Sequence, residues 1–303
     1  MTAALHRRLA VGIVGALVLA SCGSDDVEPL ESPVGLDIDE VDEILAELTD
    51  AGFCDPADVD DLGLVTAMHF VVQGQIQAPC YADGGLDDQR LLAAWDGLTS
   101  ITPSELVSDV SLLAGFEPCS DCDTLAFVSA LDEESSFFLM AVDVVSGDDD
   151  PNELLLTMQH ELTHVFNQKP GSQLDLDVDP DSCDTYFNGT GCFTDDSYMA
   201  AWIEEFWSDD LLDELPADGA PNDDDTAADL CDAEPTFLGS YAATHPEEDF
   251  AESFSAYVFD IDVPDSLGEK MAFFDDYPEF VEIQRNAEAA GLSGLPNNFD
   301  VCG

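Results

Sequence analysis

The sequence predicts a single α+β domain, and three observations predict it. Two apolar runs, Thr124–Ala130 and Ser136–Val145, read as adjacent strands, with Asp132-Glu133-Glu134 as the turn of a hairpin. A well-patterned helix follows at Asp150–Gln168, and a second stands at Pro246–Phe259. A small sheet should therefore lie beside the first helix, with the second helix facing it.

The remaining elements follow in chain order. Ile38, Val41, Ile44, Leu45 and Leu48 recur at helical spacing. Residues 64–73 form an apolar run that reads as a buried strand or a short helix. Asp87–Leu98 is helical, with Leu91, Leu92, Trp95 and Leu98 on one face. In the Asp150–Gln168 helix, Asp150 can cap, Pro151 fits the first helical position and Glu153 completes a capping-box pattern. Leu154, Met158, Leu162 and Val165 point inward, and Pro170-Gly171 ends the helix. Residues 171–235 form a long acidic insertion, rich in loops. One amphipathic piece interrupts it, Tyr198–Leu212, whose Trp202, Phe206 and Trp207 read as packing residues rather than a cleft lining. Thr244 and Glu247 have capping-box spacing ahead of the second strong helix, which carries Phe250, Phe254 and Tyr257 as its apolar stripe. A last helix covers Pro278–Ala290.

Residues 1–21 read as an export signal: Arg7 and Arg8 precede the apolar stretch Leu9–Ala20, which is too short for a permanent membrane span. The stretch ends in Leu19-Ala20-Ser21-Cys22, which resembles a bacterial lipobox. That resemblance implies cleavage before Cys22, lipid on Cys22, a flexible tether over residues 22–36 and a folded domain over 37–303. The protein would then be exported and held at the outer face of the cell membrane, or in the periplasm or outer membrane, touching a membrane only through its lipid.

Of the 303 residues, 46% are apolar, enough for a sizeable core. Asp and Glu number 67 against 6 Lys and Arg, a net charge of -61. Such a surface excludes charge-driven binding to nucleic acid or to an anionic membrane. It reads as adaptation to a saline milieu or to abundant divalent cations, and it overlaps with a surface selected for solubility. Of nine cysteines, eight remain beside Cys22: Cys54, Cys80, Cys119, Cys122, Cys183, Cys192, Cys231 and Cys302. An even count outside the cytoplasm favours disulfides. Proximity pairs Cys183 with Cys192 and Cys119 with Cys122; the remaining connectivity is not derivable.

The chemistry lies in His160-Glu161-Leu162-Thr163-His164. Histidines four apart share one helix face, so both imidazoles can reach one Zn2+, while Glu161 is placed to take a proton from a metal-activated water. The extended pattern HExxHxxGxxH is absent, because Asn167 replaces its glycine and Pro170 its third histidine. A third ligand is instead sought in the run Tyr241–Glu252. Glu248 and Glu252 stand four apart, opposite the Phe250/Phe254 side. We assign Glu248 as the ligand and Glu252 as the carboxylate that orients a ligating imidazole. His245 is a rival ligand at the helix start. Asp175, Asp177, Asp179 and Asp181 form an oxygen-rich run of a kind that can hold Ca2+, but Pro180 and Tyr186 break the EF-hand pattern, so a solvated loop is the first reading. His69, within an apolar run, reads as a core histidine.

HExxH followed by ExxxE resembles the gluzincin metallopeptidases, and Glu248-Asp-Phe-Ala-Glu252-Ser-Phe is similar to the ligand helix of the anthrax toxin lethal factor catalytic domain. The region Thr124–Phe166 is also similar to bacterial lipoproteins described as candidate zinc-binding metallopeptidases. The likeness spans residues 85–290 and implies a zincin-like fold. In the lethal factor family a tyrosine stands seven residues before the ligand glutamate, where this chain has Tyr241; the resemblance implies that Tyr241 stabilises the oxyanion or protonates the leaving amine. One departure is the long acidic linker between His164 and Glu248, a candidate wall of the cleft. The leading expectation is thus a cell-surface zinc endopeptidase acting on peptide or protein substrates. The alternative is a zinc-bearing lipoprotein that binds a partner without turnover.

Overall fold

The computed structural model describes residues 38–59, 63–82, 89–119, 124–145, 151–216, 220–295, 299 and 301–302. The export signal, Cys22, the tether, Asp150 and Cys122 lie outside the described residues.

The described chain opens with helix α1 (Ile38–Ala51) and enters a hairpin of β1 (Gly63–Val72) and β2 (Gln75–Ala82). The apolar run at 64–73 is thus a strand. Gln73 and Gly74 both have positive φ, 49° and 75°, the twist that suits a two-residue hairpin turn. Helices α2 (Gln89–Ile101) and α3 (Ser104–Val107) lead to β3 (Val110–Pro118), and β4 (Ala126–Ala130) with β5 (Phe138–Asp143) forms the expected second hairpin. In its turn, Asp132 Oδ1 accepts from the Ser136 N–H at 2.7 Å. The five strands make one mixed sheet in the order β2-β1-β3-β5-β4, with β3 and β5 parallel and the other pairs antiparallel. The fold is α+β. The central strands are buried on both sides, and alternate residues serve different faces: Leu112, Ala114 and Phe116 pack with Leu48 of α1, whereas Leu113, Met140 and Val142 pack with the helices of the opposite layer.

That opposite layer holds the long helix α4 (Pro151–Asn167), which lies beside β5 and the edge strand β4. Gly171, at φ 74°, follows its end. The acidic insertion then runs through a short ribbon of β6 (Leu174–Asp175) and β7 (Cys192–Phe193) to helices α5 (Tyr198–Phe206), α6 (Asp209–Leu212) and α7 (Asp224–Ala233). The single amphipathic piece expected over Tyr198–Leu212 is therefore two helices. Trp207 leaves helical geometry to turn its indole inward, and the Ser208 hydroxyl starts α6 by accepting from the Leu211 N–H. Helices α8 (Pro246–Val258), α9 (Gly268–Phe273) and α10 (Pro278–Ala290) complete the described elements.

An aromatic cluster fixes α8 against α4. Phe254 is fully buried among Phe166 of α4, Phe274 and Phe280, with ring centroids 5.7, 5.2 and 4.6 Å away. Burying a ring of this size stabilises by roughly 2–3 kcal/mol before edge-to-face terms are added. Cys54–Cys80, Cys183–Cys192 and Cys231–Cys302 are disulfides; Cys119 is also bonded, and its expected partner Cys122 is outside the described residues. His69 is buried, as expected of a core histidine, with Nδ1 3.0 Å from the Gln77 carbonyl oxygen.

Candidate metal centre

The first turn of α8 is built differently from its expected capping box. The N-cap is His245, not Thr244: its extended backbone (φ -160°, ψ 149°) lets Nδ1 accept from the Glu247 N–H, while the Thr244 hydroxyl donates to the Tyr241 carbonyl. Pro246 then occupies the first helical position, where its missing N–H is not needed. This register aims three successive carboxylates in three directions. Glu247 points to the loop of the acidic insertion and accepts from Asn188 Nδ2 at 3.2 Å. Glu248 points to α4. Asp249 points into the core, where it has no solvent exposure; it accepts from the indoles of Trp202 and Trp207 at 3.1 and 3.0 Å and pairs with Lys270 Nζ at 2.5 Å. Lys270 itself lies over Phe237, 4.6 Å from the ring centroid.

On α4, His160 and His164 lie one turn apart and are both buried. Three atoms converge between the helices. His160 Nε2 is 2.9 Å from Glu248 Oε2 and 3.1 Å from His164 Nε2, and His164 Nε2 is 3.4 Å from Glu248 Oε2. Behind them, His160 Nδ1 is 3.1 Å from Glu252 Oε1, a contact close in distance but poorly directed as a hydrogen bond. The four residues the spacing grouped, His160, His164, Glu248 and Glu252, are thus together. His245 is not with them, because both of its ring nitrogens are engaged, Nδ1 at the cap and Nε2 3.0 Å from the Tyr186 hydroxyl. The carboxylates of Asp175, Asp177, Asp179 and Asp181 are exposed and do not belong to the metal-competent group found among the described residues.

The donor set fits a divalent transition metal. Two imidazole nitrogens and one carboxylate oxygen all lie within 4.8 Å of one another. A tetrahedron with bonds of about 2.0–2.2 Å needs donor–donor edges of roughly 3.4 Å, close to the separations seen. Placing Glu252 behind His160 Nδ1 favours the proton there and leaves the Nε2 lone pair facing the other donors. Without a cation, the same closeness is electrostatically loaded. Although burial alone lowers their values, Glu248, joined at His160 by Glu252, holds both imidazoles above the ordinary histidine range. The two histidines in turn hold Glu248 well below the carboxylate range, against the opposing effect of its burial.

Glu161 is buried beside this group. Burial pushes its carboxyl above the usual range, while His160, His164 and a hydrogen bond from the Val128 N–H pull it back. Edge strand β4 therefore touches the site through its backbone. Tyr241 is 55% exposed, yet its hydroxyl reaches the Glu248 carboxylate; desolvation of that hydroxyl and the surrounding carboxylates raise its pKa. Its ring stands 5.9 Å from that of His160. Tyr241 lines both recesses that open here: one of about 590 Å³ toward Glu153, Leu156 and Asp224, the other toward Gln168 and Glu247. Sequence reasoning missed Tyr186, Asn188, Asp249, Lys270 and the Val128 amide. Only Lys270 carried a signal, as one of six basic residues in the chain.

The class of protein so defined is an α+β domain with a two-histidine, one-carboxylate cluster, its histidines buried and its carboxylate partly exposed to a cleft. Comparison with known proteins adds little. No family model matches the chain, and no curated protein matches it. Among solved structures it is similar to one described as a candidate zinc-binding metallo-peptidase from Bacteroides caccae, at 12% identity over 67% of each chain with a TM-score of 0.28. A likeness that loose carries no weight in assigning this chain.

Proposed function

We propose that this protein is a zinc-dependent peptidase with a zincin-like catalytic domain. The observation that carries the reading is the meeting of His160 Nε2, His164 Nε2 and Glu248 Oε2 beside the buried Glu161, at the edge of a cleft. His160, His164 and Glu248 would hold the ion, and Glu252 would keep the His160 ring in the ligating tautomer. Zinc, when bound, supplies a Lewis acid that brings the pKa of water toward neutrality and polarises a carbonyl.

The chain's own residues do the rest. Glu161 takes the proton of the attacking water and passes it to the leaving nitrogen; its upward-shifted carboxyl suits both transfers. Tyr241 donates a hydrogen bond to the oxygen that gains charge, an interaction that can lower a barrier by about 3–4 kcal/mol. Its exposed ring leaves that hydroxyl at the mouth of the cleft, between the two recesses where a peptide would run. The N-terminal signal and Cys22 support export and lipid anchoring as part of the same proposal, placing peptide or protein substrates outside the cytoplasm.

The test is cleavage of a mixed peptide library by the purified chain. Activity abolished by a chelator, restored by zinc and absent from Glu161→Gln supports the peptidase. Zinc bound with no cleavage would instead support a partner-binding lipoprotein.

A further inference from the structure

We infer that the loop closed by Cys183–Cys192 is a positioning element for Glu248, with Tyr186 and Asn188 as its positioning residues; the inference rests on the metal reading above. The loop holds the start of α8 at two points, each 59 residues away in sequence. Tyr186 Oη lies 3.0 Å from His245 Nε2, and Asn188 Nδ2 donates to Glu247 Oε1 at 3.2 Å. The two held residues are the N-cap of α8 and the residue immediately before Glu248.

The tautomer of His245 makes the link directional. Its Nδ1 accepts from the Glu247 N–H, so its hydrogen sits on Nε2 and points at Tyr186. Ser, Thr, Asp or Asn would cap a helix as well or better, but their side chains are shorter and have no second ring nitrogen on the far side of the cap to meet Tyr186. A histidine caps with one nitrogen and ties the helix to the loop with the other. The loop is rigid enough to serve as an anchor. Asn188 Oδ1 accepts from the Thr190 and Gly191 N–H groups at 3.1 and 3.0 Å, which turns its amide NH2 toward Glu247. The Tyr186 ring is stacked on the buried Phe193, with 12° between planes. At its base, β7 pairs with β6, seven residues beyond the end of α4. One loop thus spans from the helix that offers two imidazoles to the cap of the helix that offers the carboxylate.

The test is zinc affinity of the full chain, measured by competition with a chromophoric chelator, beside urea unfolding of the metal-free protein. Tyr186→Phe keeps the ring and its stacking but removes the oxygen that His245 reaches. His245→Asn keeps a good cap and loses the loop. Both are expected to weaken zinc binding by about tenfold while leaving the unfolding midpoint near that of the parent. A merely structural loop would move the midpoint and leave zinc affinity alone, and that result overturns the inference. Should Tyr186→Phe fail to fold, Asn188→Ala reads the second tie in the same assay. If the parent chain holds no zinc, the metal reading fails and takes this inference with it. If the parent holds zinc and the variants hold it equally well, the inference alone fails.

Discussion

His160 Nε2 lies 2.9 Å from Glu248 Oε2, although 88 residues separate the two in sequence. The closeness is a product of packing between α4 and α8. Phe166 and Phe254 bring the helices together, and the first turn of α8 is tied on both flanks, by Asn188 on one side and by Lys270 with two indoles on the other. Glu248, between these ties, is left to face the histidines.

Glu161→Gln should retain zinc and lose turnover. The amide is isosteric with the carboxylate and can still meet the Val128 N–H, but it cannot accept a proton. The expected loss in kcat is about 10²–10⁴-fold, with zinc content unchanged by atomic absorption. Near-parental turnover would remove Glu161 from the proton transfers.

Glu252→Gln should act on the metal before it acts on the rate. The carboxylate lies 3.1 Å from His160 Nδ1. Its replacement is expected to weaken zinc binding by about 10–100-fold, and saturating zinc should restore most of kcat. A chelator-competition titration that gives parental affinity would show that Glu252 does not orient the imidazole.

Lys270→Met should be among the more destabilising substitutions outside the metal centre. It leaves Asp249 buried without its cation, for an expected loss of about 3–5 kcal/mol in urea unfolding. Pairing it with Asp249→Asn should recover part of that loss, because the amide needs no counter-charge. If the single variant matches the parent in stability, the buried pair does not hold α8.

The metal-free protein should show a pH signature from Glu247. Burial raises this carboxyl to about 7. A carboxyl raised on folding keeps its proton longer in the folded chain than in the unfolded one. Its contribution is fully present below the ordinary value of 4.5 and is lost as pH rises to about 7. Glu247→Gln should abolish that decline, so the variant gains on the parent between pH 5 and 8 by roughly 2–3 kcal/mol in unfolding free energy. Parallel pH profiles for the two proteins would contradict it.

A net charge of -61 sets a further expectation. Self-repulsion of the folded chain is screened as the Debye length falls from about 10 Å at 0.1 M salt to about 3 Å at 1 M. The unfolding temperature should therefore rise over that range. A flat or falling profile would mean that the acidic surface does not strain the fold.

Legibility in the sequence followed the range of the forces. Local periodicity was enough to find α4, α8 and the β4–β5 hairpin, and the four-residue spacings of His160/His164 and Glu248/Glu252 already implied which side chains share a face. A short disulfide, Cys183–Cys192, could be read from proximity; Cys54–Cys80 and Cys231–Cys302 could not, because pairing across 26 and 71 residues depends on the tertiary path. The capping box at Thr244 and Glu247 has the right spacing but loses to His245, whose ring both caps the helix and reaches Tyr186. Trp207 breaks the amphipathic pattern of its segment because its indole satisfies Asp249, a partner 42 residues away. Such long-range polar ties leave no periodic trace in a single sequence.

The most direct measurement is X-ray absorption at the zinc edge on the purified chain after equilibration with one equivalent of zinc. The expected spectrum shows low-Z ligands at about 2.0–2.2 Å, with outer-shell scattering from two imidazoles that falls to one in His164→Ala. A chain that takes up no zinc, or whose bound zinc shows no imidazole scattering, would contradict the His160, His164 and Glu248 centre.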